Sequence, residues 1–333
     1  MKVGVIGLGY WGPNLMRSIL SFGDIEVVGC EKNEGRLEEV RKIFPNATYI
    51  KDYNNLLDDD EVKAVLISTP VCTHYSIAKD SLDRGKDVFV EKPLTESSPK
   101  AMELIDLAAE KKSVLMVGHI FEYNDAVIKI NDIIKNDEVG ELQYITSTRV
   151  NLGIHRKDVN VLWDLAPHDL SIIFKWVDSE PVSVATMAKA SVVDGLPDVA
   201  FVQLAFDCGM IADIQVGWLA PSKVRETIIV GSKKMIVYNE TNPREKVKIY
   251  NSGVDFEDPH DYGEFLLSYR SGDIHSPTLS NREPLRIEME HFLKCVRERK
   301  KPLTDGYSAL RVIKAIEMAE KSFNEKRIVY QGE

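Results

Sequence analysis

Short apolar runs alternate with amphipathic stretches through the first 120 residues. Strands are predicted at Lys2–Ile6, Glu26–Cys30, Ala64–Ser68, Val88–Val90 and Val114–Val117. Helices are predicted between them at Pro13–Ser21, Arg36–Ile43, His74–Arg84 and Pro99–Glu110, the first and last with proline in a first-turn position. Gly23 and Gly85 fall where helices should stop. Strands alternating with helices imply βαβ units and a doubly wound parallel sheet, because parallel neighbours need a crossover.

After a helix at Ala126–Lys135 the pattern changes to longer runs at Gln143–Val150, Val182–Val193, Val199–Phe206, Ile211–Trp218, Thr227–Val230 and Met235–Tyr238. Partial period-two alternation there predicts an open, predominantly antiparallel sheet with one face covered. Asp194-Gly195 and Cys208-Gly209 are turn signals between strands. Two helices close the chain, the first with Leu285, Met289, Phe292 and Val296 on one face. The expected organisation is therefore an α/β domain over residues 1–122 and an α+β domain over 123–333.

Composition changes this picture little. A chain of 333 residues exceeds the size at which one core stops growing, which agrees with two domains. The formal charge of -10 disfavours nonspecific binding to nucleic acid or to an anionic membrane. No run approaches the ~20 apolar residues that span a bilayer. Cys30, Cys72, Cys208 and Cys295 lie far apart, so neither a zinc site nor a redox dithiol is expected. With no export segment recognised, the cytoplasm is the expected compartment.

Gly7-Leu8-Gly9-Tyr10-Trp11-Gly12 directly follows a predicted strand and precedes a helix, the context a dinucleotide-binding (Rossmann) fingerprint requires. Gly7 permits the tight turn, Gly9 lets the backbone approach a pyrophosphate, and Gly12 allows close packing of helix on strand. Glu31, at the end of the second strand, is placed to accept hydrogen bonds from an adenosine ribose diol and so favours NAD. Lys32 and Arg36 beside it leave NADP open. Val88-Phe89-Val90-Glu91-Lys92-Pro93 is an apolar strand delivering a carboxylate and an amine to the sheet edge where ligands bind. Taken alone, the pair serves equally well to solvate a strand end. The following proline makes a cis Lys92–Pro93 bond an expectation to check.

These motifs resemble those of the glucose–fructose oxidoreductase / inositol dehydrogenase / rhizopine-catabolism family, Gfo/Idh/MocA. The resemblance spans essentially the whole chain. Beyond the glycines it rests on Thr69-Pro70 with His74, on Gly85-Lys86-Asp87-Val88 leading into Glu91-Lys92-Pro93, and on Asp164-x-x-x-His168. The segments around Gly9-Tyr10-Trp11-Gly12 and Val159–Asp169 are similar to members of surface-polysaccharide and nucleotide-sugar pathways. The chain departs from the family where Val71 and Cys72 follow the Thr-Pro step and where Asp125 replaces a frequent proline.

The resemblance implies a Rossmann domain, an α+β domain whose open sheet supports a homodimer or homotetramer, and NAD(P)-dependent hydride transfer on a sugar hydroxyl or ketone. A nucleotide-linked hexose or N-acetylhexosamine is the expected substrate. It places the catalytic roles on Lys92, Asp164 and His168, and cofactor contacts on Gly7, Gly9, Tyr10, Trp11, Gly12, Glu31, Lys32, Thr69, Pro70, His74, Glu91, Lys92 and His119. Tyr123, Arg149, Asn151 and Arg156 are the expected substrate contacts, and no metal is expected.

Oxidising a secondary alcohol requires a base for the hydroxyl proton. His168 has a suitable ordinary pKa, with Lys92 then stabilising the developing oxyanion. The two roles remain exchangeable on sequence. Pro167 predicts that Asp164 sits on a loop entering a helix begun near the proline. The family also contains NAD-dependent glycosidases that oxidise transiently, and non-catalytic sugar or nucleotide sensors. Sugar release without net NADH distinguishes the first, and an intact proton-transfer set argues against the second.

Overall fold

The computed structural model describes residues 1–153, 159–257 and 266–333. Two compact units share the chain: Met1–Tyr123 with Arg282–Lys314, and Asn124–Asn281 with Ala315–Glu333. The expected second domain ran from residue 123 to the end; residues 282–314 instead pack with the first unit. The apolar face of their helix explains this, because Leu285, Met289, Phe292 and Val296 complete the core of the nucleotide-binding sheet.

In the first unit, β1 (Lys2–Ile6), β2 (Glu26–Cys30), β3 (Thr48–Ile50), β4 (Val62–Ile67), β5 (Asp87–Glu91) and β6 (Leu115–Gly118) form one sheet in the order β3-β2-β1-β4-β5-β6. Every pairing is parallel. The helices α1 (Gly12–Leu20), α2 (Glu34–Ile43), α3 (Tyr53–Leu57), α4 (His74–Asp83) and α5 (Ser98–Lys111) make the crossovers. This is a Rossmann-type sheet, and the reversal of strand order between β1 and β4 marks its ligand-binding crevice. The central strands are apolar on both faces because helices cover both.

In the second unit, α6 (Asp125–Lys135) precedes β7 (Leu142–Val150), followed by α7 (Val161–Trp176) and the strands β8 (Pro181–Lys189), β9 (Val199–Phe206), β10 (Ile211–Gly217), β11 (Val224–Gly231), β12 (Met235–Asn239), β13 (Val247–Glu257) and β14 (Leu266–His275). With β15 (Val329–Tyr330) they form a nine-stranded sheet, β14-β13-β12-β11-β7-β10-β9-β8-β15. Among the described residues of this sheet, only β7 and β10 pair in parallel. The expected open, predominantly antiparallel sheet is therefore present. Asp194-Gly195 makes the expected turn, bridged by Val193 and Leu196, although β8 ends earlier than predicted, at Lys189. One sheet face is buried while the other exposes Tyr144, Met187, Phe201 and Ile211.

Two helices close the chain. α8 (Pro284–Glu298) belongs to the first unit, where Phe292 meets Phe89 of β5 edge-on with ring centroids 5.8 Å apart. α9 (Gly306–Glu325) starts in the first unit and ends in the second. Among the described residues, no helix is long and apolar enough to cross a membrane, and no group of His, Cys, Asp and Glu is arranged to hold a metal ion.

Candidate active site

The glycine turn occupies the carboxyl end of β1. Gly7 has φ +88°, and a Cβ there would lie 2.7 Å from the Thr69 side chain. A Cβ on Gly12 would lie 2.1 Å from the Gly7 carbonyl oxygen, so only glycine lets α1 start this close to the strand. Nothing lies within 4 Å of the same position on Gly9, which leaves its backbone open to a ligand. Pro13 occupies the first turn of α1, whose amides face the turn. Tyr10 is 89% exposed and stacks on Trp11, with ring centroids 6.4 Å apart.

Glu31 ties this turn to the end of β2. Its carboxylate accepts from Leu8 N and Asn33 N, each at 2.9 Å. Further lone pairs remain for a ribose diol. Arg36 braces the same turn from α2, donating to the carbonyl oxygens of Leu8 at 2.6 Å and Gly9 at 2.7 Å, and pairing with Glu39 at 2.9 Å. Lys32 is exposed. The cradle thus fits a dinucleotide: an open backbone at Gly9, helix amides behind it and an acid at the β2 edge.

Thr69 and Pro70 leave β4, and the Thr73 hydroxyl lies 2.7 Å from both Thr69 Oγ1 and the Pro70 carbonyl oxygen. His74 joins this loop to the neighbouring strand end. Its Nε2 lies 2.8 Å from the Thr69 carbonyl oxygen and its Nδ1 2.9 Å from that of Pro93. Burial lowers the pKa of His74, although both carbonyls favour the cation. A neutral imidazole can donate to only one of the two.

Glu91 and Lys92 emerge at the end of β5, and the Lys92–Pro93 peptide is cis. Glu91 is half-buried as a residue, but its carboxyl end lies inside. A Cβ added to Gly118 would sit 3.0 Å from Glu91 Oε2. Burial pushes the Glu91 carboxyl up to about 8, against the opposing pull of the Lys92 charge. His119, at the end of β6, is buried with no hydrogen-bond partner on either ring nitrogen. Burial, reinforced by Lys92, lowers its pKa to about 3, so it is neutral at ordinary pH.

Tyr123 was expected at the substrate. It is instead 3% exposed, packs in the core of the first unit, and its hydroxyl lies 3.0 Å from Thr304 Oγ1. Its position directly after a loop near the ligand edge reads as accessible in sequence, but residues returning from beyond 282 cover it.

In the second unit, α7 runs unbroken from Val161 to Trp176 with Pro167 inside it. This corrects the expected loop at Asp164. Asn160 caps the helix by accepting from Leu162 N at 3.0 Å and Trp163 N at 3.2 Å. Burial of most of α7 outweighs the one amide donor that Pro167 removes. Asp164 and His168 are thereby one turn apart on one face. The Trp218 indole N–H donates to Asp164 Oδ2 at 3.1 Å.

Arg149 is a second correction among the substrate contacts. Its side chain is 5% exposed and its Nε donates to Asp169 Oδ2 at 2.6 Å, with Glu240 at 3.4 Å. Ser147 completes the pair by donating to Asp169 Oδ1 at 2.9 Å. Asn151 accepts from Arg225 at 2.7 Å. Arg156 lies outside the described residues. Trp218, Arg225 and Glu288 were not singled out in sequence. For Glu288 a signal existed, since it falls within the apolar stripe of α8.

Comparison with known proteins agrees with this architecture. Residues 1–119 match the family described as "Oxidoreductase family, NAD-binding Rossmann fold", and residues 127–237 match the "GFO/IDH/MocA C-terminal domain". UDP-N-acetylglucosamine 3-dehydrogenase of Acidithiobacillus ferrooxidans is 26% identical over 320 residues, covering 95% of each chain. Its solved structure superposes with a TM-score of 0.81 at 25% identity, covering 98% of both chains. The NAD(+)-dependent scyllo-inositol 2-dehydrogenase of Bacillus subtilis is 23% identical, covering 93% of this chain and 90% of its own. Levoglucosan dehydrogenase in complex with NADH and levoglucosan shares the fold, with a TM-score of 0.85 at 18% identity and 100% of both chains covered.

Proposed function

Because this chain belongs to the Gfo/Idh/MocA family of oxidoreductases, we propose that it is an NAD-dependent dehydrogenase oxidising a ring hydroxyl of a nucleotide-linked N-acetylhexosamine. The broader statement, an NAD(P)-dependent oxidoreductase acting on CH–OH groups of sugar-like substrates, follows from the family and from the glycine cradle. One observation carries the narrower reading: the likeness to UDP-N-acetylglucosamine 3-dehydrogenase over 95% of both chains. It points to the C3 hydroxyl. NAD rather than NADP is favoured because Glu31 would repel a 2′-phosphate, while Arg36 is already engaged by Leu8, Gly9 and Glu39.

Bound at the glycine turn, NAD would supply the hydride acceptor. His168 takes the hydroxyl proton, being the side chain whose ordinary pKa suits neutral pH. Lys92 donates a charged hydrogen bond to the reacting oxygen as carbonyl character develops. Asp164, steadied by the Trp218 indole, orients the substrate from the same helical face as His168.

The test is turnover of UDP-N-acetylglucosamine with NAD, followed by reduced-nicotinamide absorbance and product mapping, beside free inositols and unphosphorylated hexoses. Faster NADH formation with the nucleotide sugar, and a ketone at C3, is the expected result. Preference for a free polyol would overturn the nucleotide-sugar assignment.

A further inference from the structure

Parallel pairing places the starts of β5 and β6 on the edge of the sheet away from the glycine turn, and a cleft opens there. Its volume is about 500 Å³, within the range of small-molecule sites, and all of its lining belongs to the first unit. Ile105 and Ala108 of α5, with Leu115 at the start of β6, give it a buried apolar floor. The opposite wall is the segment from α8 to α9, which is fixed along β6. Thr304 O accepts from Val117 N at 2.8 Å, Met116 and Asp305 form a β-bridge, and Leu303 N donates to His291 Nε2 at 2.9 Å. Gly306 lets this wall approach the floor, since a Cβ there would lie 2.5 Å from Ile105 Cγ1.

Four cations, Lys112, Arg299, Lys300 and Lys301, line the cleft against one carboxylate, Asp305, in a chain whose formal charge is -10. Cations at helix ends ordinarily serve the exposed carbonyls there. Arg299 does so: it donates to the carbonyl oxygens of Lys112 and Val296, and its Nη1 lies 2.6 Å from Asp87 Oδ2. Lys301 meets Asp305 Oδ2 at 2.8 Å and lies over the Tyr307 ring, 5.5 Å from its centroid. Lys300 pairs with Glu298 at 2.7 Å on the exposed surface, a contact that is weak and readily exchanged. Lys112 is different. It closes α5 with φ +56°, a conformation in which glycine is the unstrained choice. It nevertheless carries a long cationic side chain, and among the described residues its amine has no hydrogen-bond or ion-pair partner.

We propose that this cleft binds a phosphorylated metabolite with an apolar body, of the nucleoside monophosphate class, at a site separate from the glycine turn. Lys112 and Lys300 supply charged donors on long stems for the phosphate oxygens. Asp305 accepts from Ser308 N at 2.9 Å at the start of α9, and its charge repels an anion on that side, so the phosphate lies toward the two lysines. A bare ion would make no use of the apolar floor, whereas the half-exposed ring of Tyr307 offers a face on which a base stacks. The wall is already fixed by its bonds to β6, so little ordering remains to oppose binding. The inference goes beyond the dehydrogenase reaction and does not depend on its substrate.

Calorimetric titration of the whole protein, saturated with NADH so that the glycine turn is filled, measures the binding of adenosine, guanosine and uridine 5′-monophosphates beside inorganic phosphate. The nucleotides are expected to bind, and inorganic phosphate to bind more weakly. Lys112→Glu should weaken nucleotide binding by about tenfold or more, the loss of one charge-assisted hydrogen bond, and leave NADH affinity unchanged. Tyr307→Ala should weaken the nucleotides and leave inorganic phosphate as it was. Both side chains are exposed, and the thermal unfolding midpoint of each variant shows that it is folded. No nucleotide binding at millimolar concentration, binding indifferent to Lys112→Glu, or equal affinity for nucleotides and inorganic phosphate overturns the proposal.

Discussion

Lys92 directly follows the end of β5 and precedes a cis peptide bond to Pro93. Its strand was legible from an unbroken apolar run, and the carboxyl end of that strand is the ligand edge by topology. Lys92→Met should lower kcat about 10²- to 10³-fold, the usual loss for a donor that stabilises developing oxyanion charge, and leave NADH affinity within a few-fold. Steady-state kinetics and fluorescence titration of NADH check the two halves. Arg149 was not legible in the same way. An arginine near a strand end followed by asparagine reads as a sugar contact, but the buried partner Asp169 comes from a helix 20 residues later. Asp169→Asn should therefore destabilise the protein by about 3 kcal/mol by leaving the buried guanidinium with Glu240, at 3.4 Å, as its remaining counter-charge. A urea-unfolding midpoint reads that loss; a change within about 0.5 kcal/mol, the usual range of surface substitutions, would contradict it.

At the scale of elements, period and capping carried most of the reading, while tertiary burial decided the exceptions. α1, α4 and α6 lie close to where their apolar spacing and first-turn residues put them. β3 and α3, of three and five residues, are too short for periodicity to reveal. α7 shows burial overriding a local rule, because Pro167 reads as a helix start and is instead carried inside a helix capped by Asn160. Pro167→Ala should restore an amide donor toward Trp163 and stabilise the protein by about 1 kcal/mol, a modest share of the cost of a mid-helix proline. Thermal or urea unfolding checks the sign. Destabilisation would mean that the ring packs better than the restored bond.

At the scale of the molecule, the two-part organisation was legible from the change of pattern after residue 120, and the return of α8 to the first unit was not. Its apolar face announces burial without naming the sheet that receives it. The central claim is that the chain moves a hydride from a sugar carbinol carbon to a nicotinamide. Incubating the protein with NAD and UDP-N-acetylglucosamine deuterated at C3, then determining the mass of the reduced cofactor, tests it most directly. The account predicts one deuterium on the nicotinamide ring for each ketone formed; reduced cofactor without deuterium, or no reduction by any nucleotide sugar despite cofactor binding, would contradict it.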